Sequence, residues 1–236
     1  MVGTLYNAGA VALGAAVGLA FRRRLTESGK DAAFLAAGLF TLGLGIRMVA
    51  GMQQPLAVFF ACFVGMLLGS ALGVQRRVDA LSRRWAGDAA ADAGGGFLKA
   101  MVLFCAGSMT VIGCMEDGVH GEPGVLLVKG TMDGIAAAFL AAAFGRGVLW
   151  AAPGVLVLQG ALTAAFAAAG GQMDPATAAE FSSVGGILLV ALGLDLVGVR
   201  TFRMADLLPA LVVLPAAVAV ARWVESILAA LTAAIG

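Results

Sequence analysis

The residues with the strongest claim to chemistry are Lys129 and Asp133, in the apolar run GVLLVKGTMDGIAAAFLAAAFG at 124–145. Four positions apart, they share one face of a helix, where an ammonium and a carboxylate can meet. With Gly124 at the outer boundary and about 1.5 Å of rise per residue, Asp133 lies roughly 13 Å deep, near a bilayer's middle. A charge at that depth costs at least a few kcal/mol, so it needs a reason. One reason is a site: Asp133 coordinates a cation or a proton, and Lys129 sets its charge state or binds an anionic group. The other is a lock, a neutralised pair that ties this helix to its neighbours. Gly130 and Gly134 flank the pair, and a helix that breaks at such glycines frees backbone groups for a ligand.

Two amides come next. Asn7 and Gln159 occupy comparable places early and late in the chain, each followed by a small residue, Ala8 or Gly160. An amide donates and accepts hydrogen bonds without charge, which suits a substrate site or the joining of helices in lipid. Gly160 is the third candidate helix-break glycine. Asp117, followed by Gly118, stands at the end of an apolar run, where it would line an outer entrance. It belongs to EDGVHGEPG at 116–124, whose Glu116, His120 and Glu122 match no metal-ligand spacing. The chain has no Walker loop, no dinucleotide fingerprint, no HExxH motif and a single histidine. Neither an enzyme nor a resident cofactor or metal is expected.

These residues need a scaffold, and composition says which kind. Of 236 residues 61% are hydrophobic and 12% charged, and the mean hydropathy is +0.98. Soluble domains are about a quarter charged, so this chain cannot coat a water-soluble fold. A net charge of +1 implies no nucleic-acid partner. Cys62, Cys105 and Cys114 lie in apolar runs, which argues against a disulfide framework. The expected fold is an all-α integral membrane protein, its partners the lipid bilayer and a small solute or monovalent cation. A homodimer is expected, because a 23.6 kDa bundle offers a thin wall around any pathway.

About 20 mostly apolar residues cross a bilayer as a helix. Eight stretches qualify: 3–21, 32–51, 55–74, 97–115, 124–145, 148–169, 181–199 and 205–223. Residues 75–96 read as the one sizeable loop. The run after Arg222 is amphipathic and either extends the last span or lies in the interface. Gly14/Gly18, Gly65/Gly69 and Gly69/Gly73 are small-xxx-small pairs, expected to serve internal helix packing rather than a dimer seam.

Met1–Phe21 has no basic residue ahead of its apolar run, so it does not read as a secretory signal. With the N-terminus outside, the segments facing inward, together with Lys99 at the inner edge of the fourth span, hold 12 of the 15 Lys and Arg residues. Arg47, Lys129 and Arg222 are the exceptions. Basic residues resist translocation, so this orientation in the cytoplasmic membrane is expected.

LAAGLFTLGLGIRMVAG at 35–51 and FSSVGGILLVALGLDLVGV at 181–199 are related by an offset of 148 positions. Gly38, Leu44, Gly45 and Val49 fall on Gly186, Leu192, Gly193 and Val197, and Arg47 falls on Asp195. Spans 1–3 (1–74) and 6–8 (147–225) then form two copies, separated by the loop and two inserted spans (97–146), with a tail at 226–236. All belong to a single domain of residues 1–236. The copies run in opposite directions through the membrane, the arrangement of many secondary transporters. Both Arg47 and Asp195 are expected to be solvated or paired, Asp195 with Arg200.

Several segments carry a resemblance. GTLYNAGAVALGAAVGL at 3–19, LFCAGSMTVIGCMEDGVHGE at 103–122, LLVKGTMDGIAAA at 126–138, LVLQGALT at 156–163, SVGGILLVALGLDLVGV at 183–199 and MADLLPALVV at 204–213 are similar to one family. It is the domain-of-unknown-function family 554, the YqgA/YdfK-like bacterial inner-membrane proteins. The resemblance covers nearly the whole chain and implies family-motif positions at Asp117, Gly118, Lys129, Asp133, Gly134, Gln159 and Gly160. It implies a location and a fold more than a substrate. Secondary transport of a small solute or ion is the expected function; a passive channel and a non-transporting scaffold or accessory subunit are the alternatives.

Overall fold

The computed structural model describes residues 1–22, 24, 26–86, 90–105, 107–170 and 174–235, without the side chains of 27, 30, 33, 81–95, 169, 175 and 228–235. Runs rich in Ala and Leu favour helix, and helix satisfies every backbone group inside lipid. Ten α-helices result among the described residues: α1 Val2–Arg22, α2 Glu27–Ala50, α3 Pro55–Leu72, α4 Val74–Ala86, α5 Ala90–Cys105, α6 Ser108–Met115, α7 Gly124–Phe144, α8 Ala151–Ala169, α9 Pro175–Leu196 and α10 Pro209–Ile235. There is no strand among the described residues. The ends are written in the sequence. Thr26 Oγ1 accepts from Gly29 N at 3.2 Å to cap α2, and Pro55 and Pro175 open α3 and α9. Gly73 (φ 62°) and Gly170 (φ 59°) close α3 and α8 in the left-handed conformation that other residues avoid.

Six helices among the described residues are long and apolar enough to cross a membrane: Val2–Arg22, Pro55–Leu72, Gly124–Val148, Ala151–Ala168, Ala176–Leu196 and Met204–Ile227. The outward faces match that reading: Val212 is 82% exposed, Leu13 72% and Val157 71%. Exposure of so many large apolar side chains suits lipid, not water.

Six spans, or seven with a bent pair, are shown among the described residues, fewer than the eight expected. α2 runs through the expected span 32–51, and its described apolar stretch is Phe34–Ala50. The expected span 97–115 is broken instead of continuous: Gly96–Cys105 and Ser108–His120 meet at 62°, so the pair counts at most as a seventh span. The supposed loop 75–96 is largely helical. Val74 and Val78, one turn apart, pack on the core and give α4 an apolar stripe, which a search for 20-residue apolar runs overlooks. The segment after Arg222 continues α10 without interruption.

Three long helix pairs build the bundle through close backbone approaches. α1 and α7 run parallel: a Cβ on Gly14 would stand 1.9 Å from the Gly134 carbonyl oxygen, and one on Gly18 2.0 Å from that of Ala138. At the far end, Arg22 closes α7 by donating to the carbonyls of Ala142 (3.1 Å) and Ala143. α3 and α10 run antiparallel, with Gly65 against Ala210 and Gly69 against the Asp206 carbonyl. α2 and α9 are also antiparallel, with Gly38 on Leu196–Val197 and Gly45 on Gly186 and Val190. The Gly14/Gly18 and Gly65/Gly69 pairs therefore serve internal packing, while Gly73 acts as a helix terminator. Two apolar clusters fill the interior, one joining α3, α9 and α10, the other joining α1, α5, α7 and α8.

Candidate functional site

The parallel contact of α1 with α7 brings Asn7 onto Gly130, where a Cβ would lie 2.9 Å from the Asn7 Cα. Lacking side-chain bulk, Gly130 admits α1, and Asn7 arrives beside the Lys129–Asp133 pair. α7 and α8 run unbroken through Gly130, Gly134 and Gly160. The expected helix breaks at these glycines do not occur; two of the three are close-approach points, Gly134 standing against Ala10.

The break lies between α5 and α6. Phe104 O would receive its helical bond from Ser108 N, but Ser108 N donates to Ser182 Oγ at 3.2 Å, and Gly107 is extended (φ −138°, ψ 151°). The freed carbonyl accepts from Lys129 Nζ at 2.6 Å and from Thr110 Oγ1 at 3.1 Å. Lys129 also pairs with Asp133 Oδ2, which accepts from Asn7 Nδ2 at 3.1 Å. The same Asn7 nitrogen donates to Gln159 Oε1 at 3.2 Å. Four of the sequence candidates thus form one chain of polar contacts, Lys129–Asp133–Asn7–Gln159, linking α7, α1 and α8. Asn7 and Gln159 are 0% exposed, yet Asn7 Oδ1 and Gln159 Nε2 have no hydrogen-bond partner among the described residues. A donor and an acceptor are left open beside an ion pair, a costly arrangement that a small polar ligand or a water would relieve.

The fifth candidate closes one end of this cluster. Buried Asp117 lies in a π-helical turn, Glu116–His120. Its Oδ2 accepts from Gly3 N at 3.2 Å and its Oδ1 lies 2.8 Å from the amino group of Met1, so it caps the start of α1. Thr4 and Thr163 hydroxyls meet at 3.3 Å one turn beyond the amides, and Cys114 Sγ donates to Gln159 O at 3.6 Å.

A cavity of about 890 Å³ opens beside the cluster, not onto it. It is an apolar groove among α1, α2 and α7, and α7 lines it with Met132, Ile135 and Ala136. Asp133 is not among its lining residues.

Elsewhere the ion pairs differ from expectation. Asp195 pairs with Lys99 at 2.8 Å, not with Arg200, whose guanidinium lies 5.9 Å from the Phe202 ring centroid. Arg47 is exposed. Among the described residues no three His, Cys, Asp or Glu side chains group as metal ligands. Sequence reading missed two carboxylates that are each 1% exposed, Glu180 and Asp206. Asp206 Oδ1 accepts from Gln75 N at 2.9 Å at the head of α4, and its Oδ2 lies 3.1 Å from Arg203 Nε. Glu180 Oε1 accepts from Gln53 N (2.9 Å) and Gln54 N (2.8 Å) at the head of α3. Glu180 stands in the second turn of α9 and Asp206 in the 3-10 turn Met204–Leu207 just before α10, near the ends of apolar runs where an acid reads as a boundary residue; only the packing of another helix end against it buries it.

Comparison with known proteins places the whole architecture in one group. The family model described as "Protein of unknown function (DUF554)" matches residues 2–219. An "Uncharacterized membrane protein YdfK" of Bacillus subtilis (strain 168) is 28% identical over 219 residues, covering 91% of this chain and 94% of that protein. An "Uncharacterized protein YqgA" of Escherichia coli (strain K12) is 32% identical over 234 residues, covering 94% and 99% respectively. No solved structure matches the chain. The chain belongs to the DUF554 family.

Proposed function

We propose that this DUF554 protein is a secondary transporter of a small solute or ion across the bacterial cytoplasmic membrane, with the Asn7–Asp133–Gln159 cluster as its polar site. The observation that carries the reading is the pair of open amide atoms, Asn7 Oδ1 and Gln159 Nε2, fully buried beside Asp133. Groups so expensive to bury are retained in apolar helices where something polar must be held. Asp133 takes a cation or proton, Lys129 sets its charge, and the amides orient the solute. The N-terminus lies outside, as the distribution of basic residues requires.

Two-way access follows from inverted halves, and the α2–α9 contact supports them. A Cβ on Gly45 would meet Gly186 O at 2.9 Å and Val190 N at 2.7 Å; one on Gly193 would meet Gly38 O at 3.0 Å and Leu42 N at 2.8 Å. One on Gly186 would meet Met48 Cβ and Val49 N, both at 2.9 Å; one on Gly38 would meet Leu196 Cβ at 3.0 Å and Val197 N at 3.2 Å. Exchanging each residue with its mate at the 148-residue offset turns the first contact of each set into the second. Such reciprocity between antiparallel helices is that of a pseudo-twofold axis perpendicular to them, hence in the membrane plane.

A second reading is favoured by one observation: Asp133 is sealed by Lys129 and Asn7 and does not face the cavity. On that reading the pair locks helices of a scaffold. Thermal melting of the purified protein against amino acids and organic acids, in one constant salt background, separates the two. A substrate raises the midpoint by mass action, and Asp133→Asn removes that rise. A ligand response unchanged in Asp133→Asn favours the lock.

A further inference from the structure

Glu180 stands outside the cluster just described, at the other side of the bundle. Its carboxylate is 1% exposed and has no ion pair among the described residues. The basic residue of α10 nearest this end, Arg222, is engaged by Asp174. Oε1 is held by the N–H groups of Gln53 and Gln54, while Oε2 is buried with no hydrogen-bond partner among the described residues. Two more orphaned oxygens belong to the same junction: Ser183 Oγ, one turn along α9 and 0% exposed, and Gln54 Oε1. The antiparallel register, with Glu180 at Gln53–Gln54 and Gly186 at Met48–Val49, sets Ser183 level with the end of α2 near Gly51. There the Met48 and Val49 carbonyls accept from Gly51 N (3.3 Å) and Met52 N (3.0 Å), while Pro55 brings no N–H to the Gly51 carbonyl.

We infer that Glu180 Oε2, Ser183 Oγ and Gln54 Oε1 form a binding site for a monovalent alkali cation, completed by carbonyls at the end of α2. The charges decide the class. The head of α3 contributes about half a positive charge and the end of α2 about half a negative one, which leaves the single charge of the carboxylate to be balanced. A divalent ion would carry an excess charge into a buried place and would want six to eight oxygens or several waters. An anion is excluded, because the open atoms are a carboxylate oxygen, an amide oxygen and a hydroxyl. The site has no counterpart under the repeat: the mate of Glu180 at the 148-residue offset is Ala32. It does not depend on the transport reading.

The test is the melting midpoint of the detergent-purified protein in sodium, potassium or choline chloride at constant ionic strength. One alkali cation should raise the midpoint saturably above choline. Glu180→Gln should abolish the rise, and Ser183→Ala or Gln54→Leu should weaken half-saturation by at least about tenfold, a loss that even outer partners of a metal ion cause. No difference between alkali cations and choline in the unmutated protein overturns the site, as does a response that survives Glu180→Gln. A response lost in Asp133→Asn but kept in Glu180→Gln moves the cation to the other cluster. If Glu180→Gln does not fold, unaltered half-saturation in both Ser183→Ala and Gln54→Leu overturns the proposal.

Discussion

Lys129 and Asp133 illustrate how a buried charge is made tolerable by its surroundings rather than by its partner alone. Lys129 has two acceptors, Asp133 and the Phe104 carbonyl, and Asp133 has two donors, Lys129 and Asn7. Removing one member strands the other, so Lys129→Leu should destabilise the protein by about 3–5 kcal/mol, while Lys129→Leu with Asp133→Met should cost far less. Detergent melting of both variants and of Asp133→Met alone checks this; a double-variant loss equal to the sum of the two single losses would mean the residues act independently. Asp174 is the contrasting surface case, capping α9. The Thr177 N–H and the Arg222 guanidinium hold its carboxyl below the usual carboxylate range. A folded-state value lower than the unfolded one adds stability above about pH 4 that is lost as pH falls through the folded value. Asp174→Asn should therefore flatten the acid end of the melting profile and leave the neutral end close to unchanged in slope.

At the scale of helices, glycine determines who packs on whom. A Cβ at Gly69 would stand 1.9 Å from the Asp206 carbonyl oxygen, whereas Gly9 and Gly43 have nothing within 4 Å. Gly69→Ala must push α3 off α10 and should cost about 1–3 kcal/mol. Gly9→Ala and Gly43→Ala should be neutral or stabilising by about 0.5–1 kcal/mol, since alanine is the better helix former. Identical melting losses at all three positions would mean that helix contact is not what these glycines serve. The α5–α6 break belongs to this scale too: one diverted N–H, from Ser108 to Ser182, releases the carbonyl that holds Lys129.

For the whole molecule the decisive question is the relative direction of its halves. Gln53 and Thr201 are mates at the 148-residue offset, following the ends of the antiparallel helices α2 and α9. In a background lacking Cys62, Cys105 and Cys114, Gln53→Cys should react with an impermeant thiol reagent from outside. Thr201→Cys should react only from the cytoplasm. Labelling of both from one side would remove the inverted arrangement and the transport reading with it.

Hydropathy and helical period are local properties, so residue order alone determined that the chain is helical, lives in lipid and sets Lys129 and Asp133 on one face. The small-xxx-small spacing of Gly14 and Gly18 likewise announced a close helix neighbour. Which neighbour it was, α7, is a long-range fact. So are the meeting of Asn7 with Gln159, the pairing of Asp195 with Lys99 and the burial of Glu180 under the head of α3. Each joins residues far apart in the chain, and the contact of Glu180 also needs backbone N–H groups left open where α3 begins. No reading of one segment contains that information; packing alone supplies it.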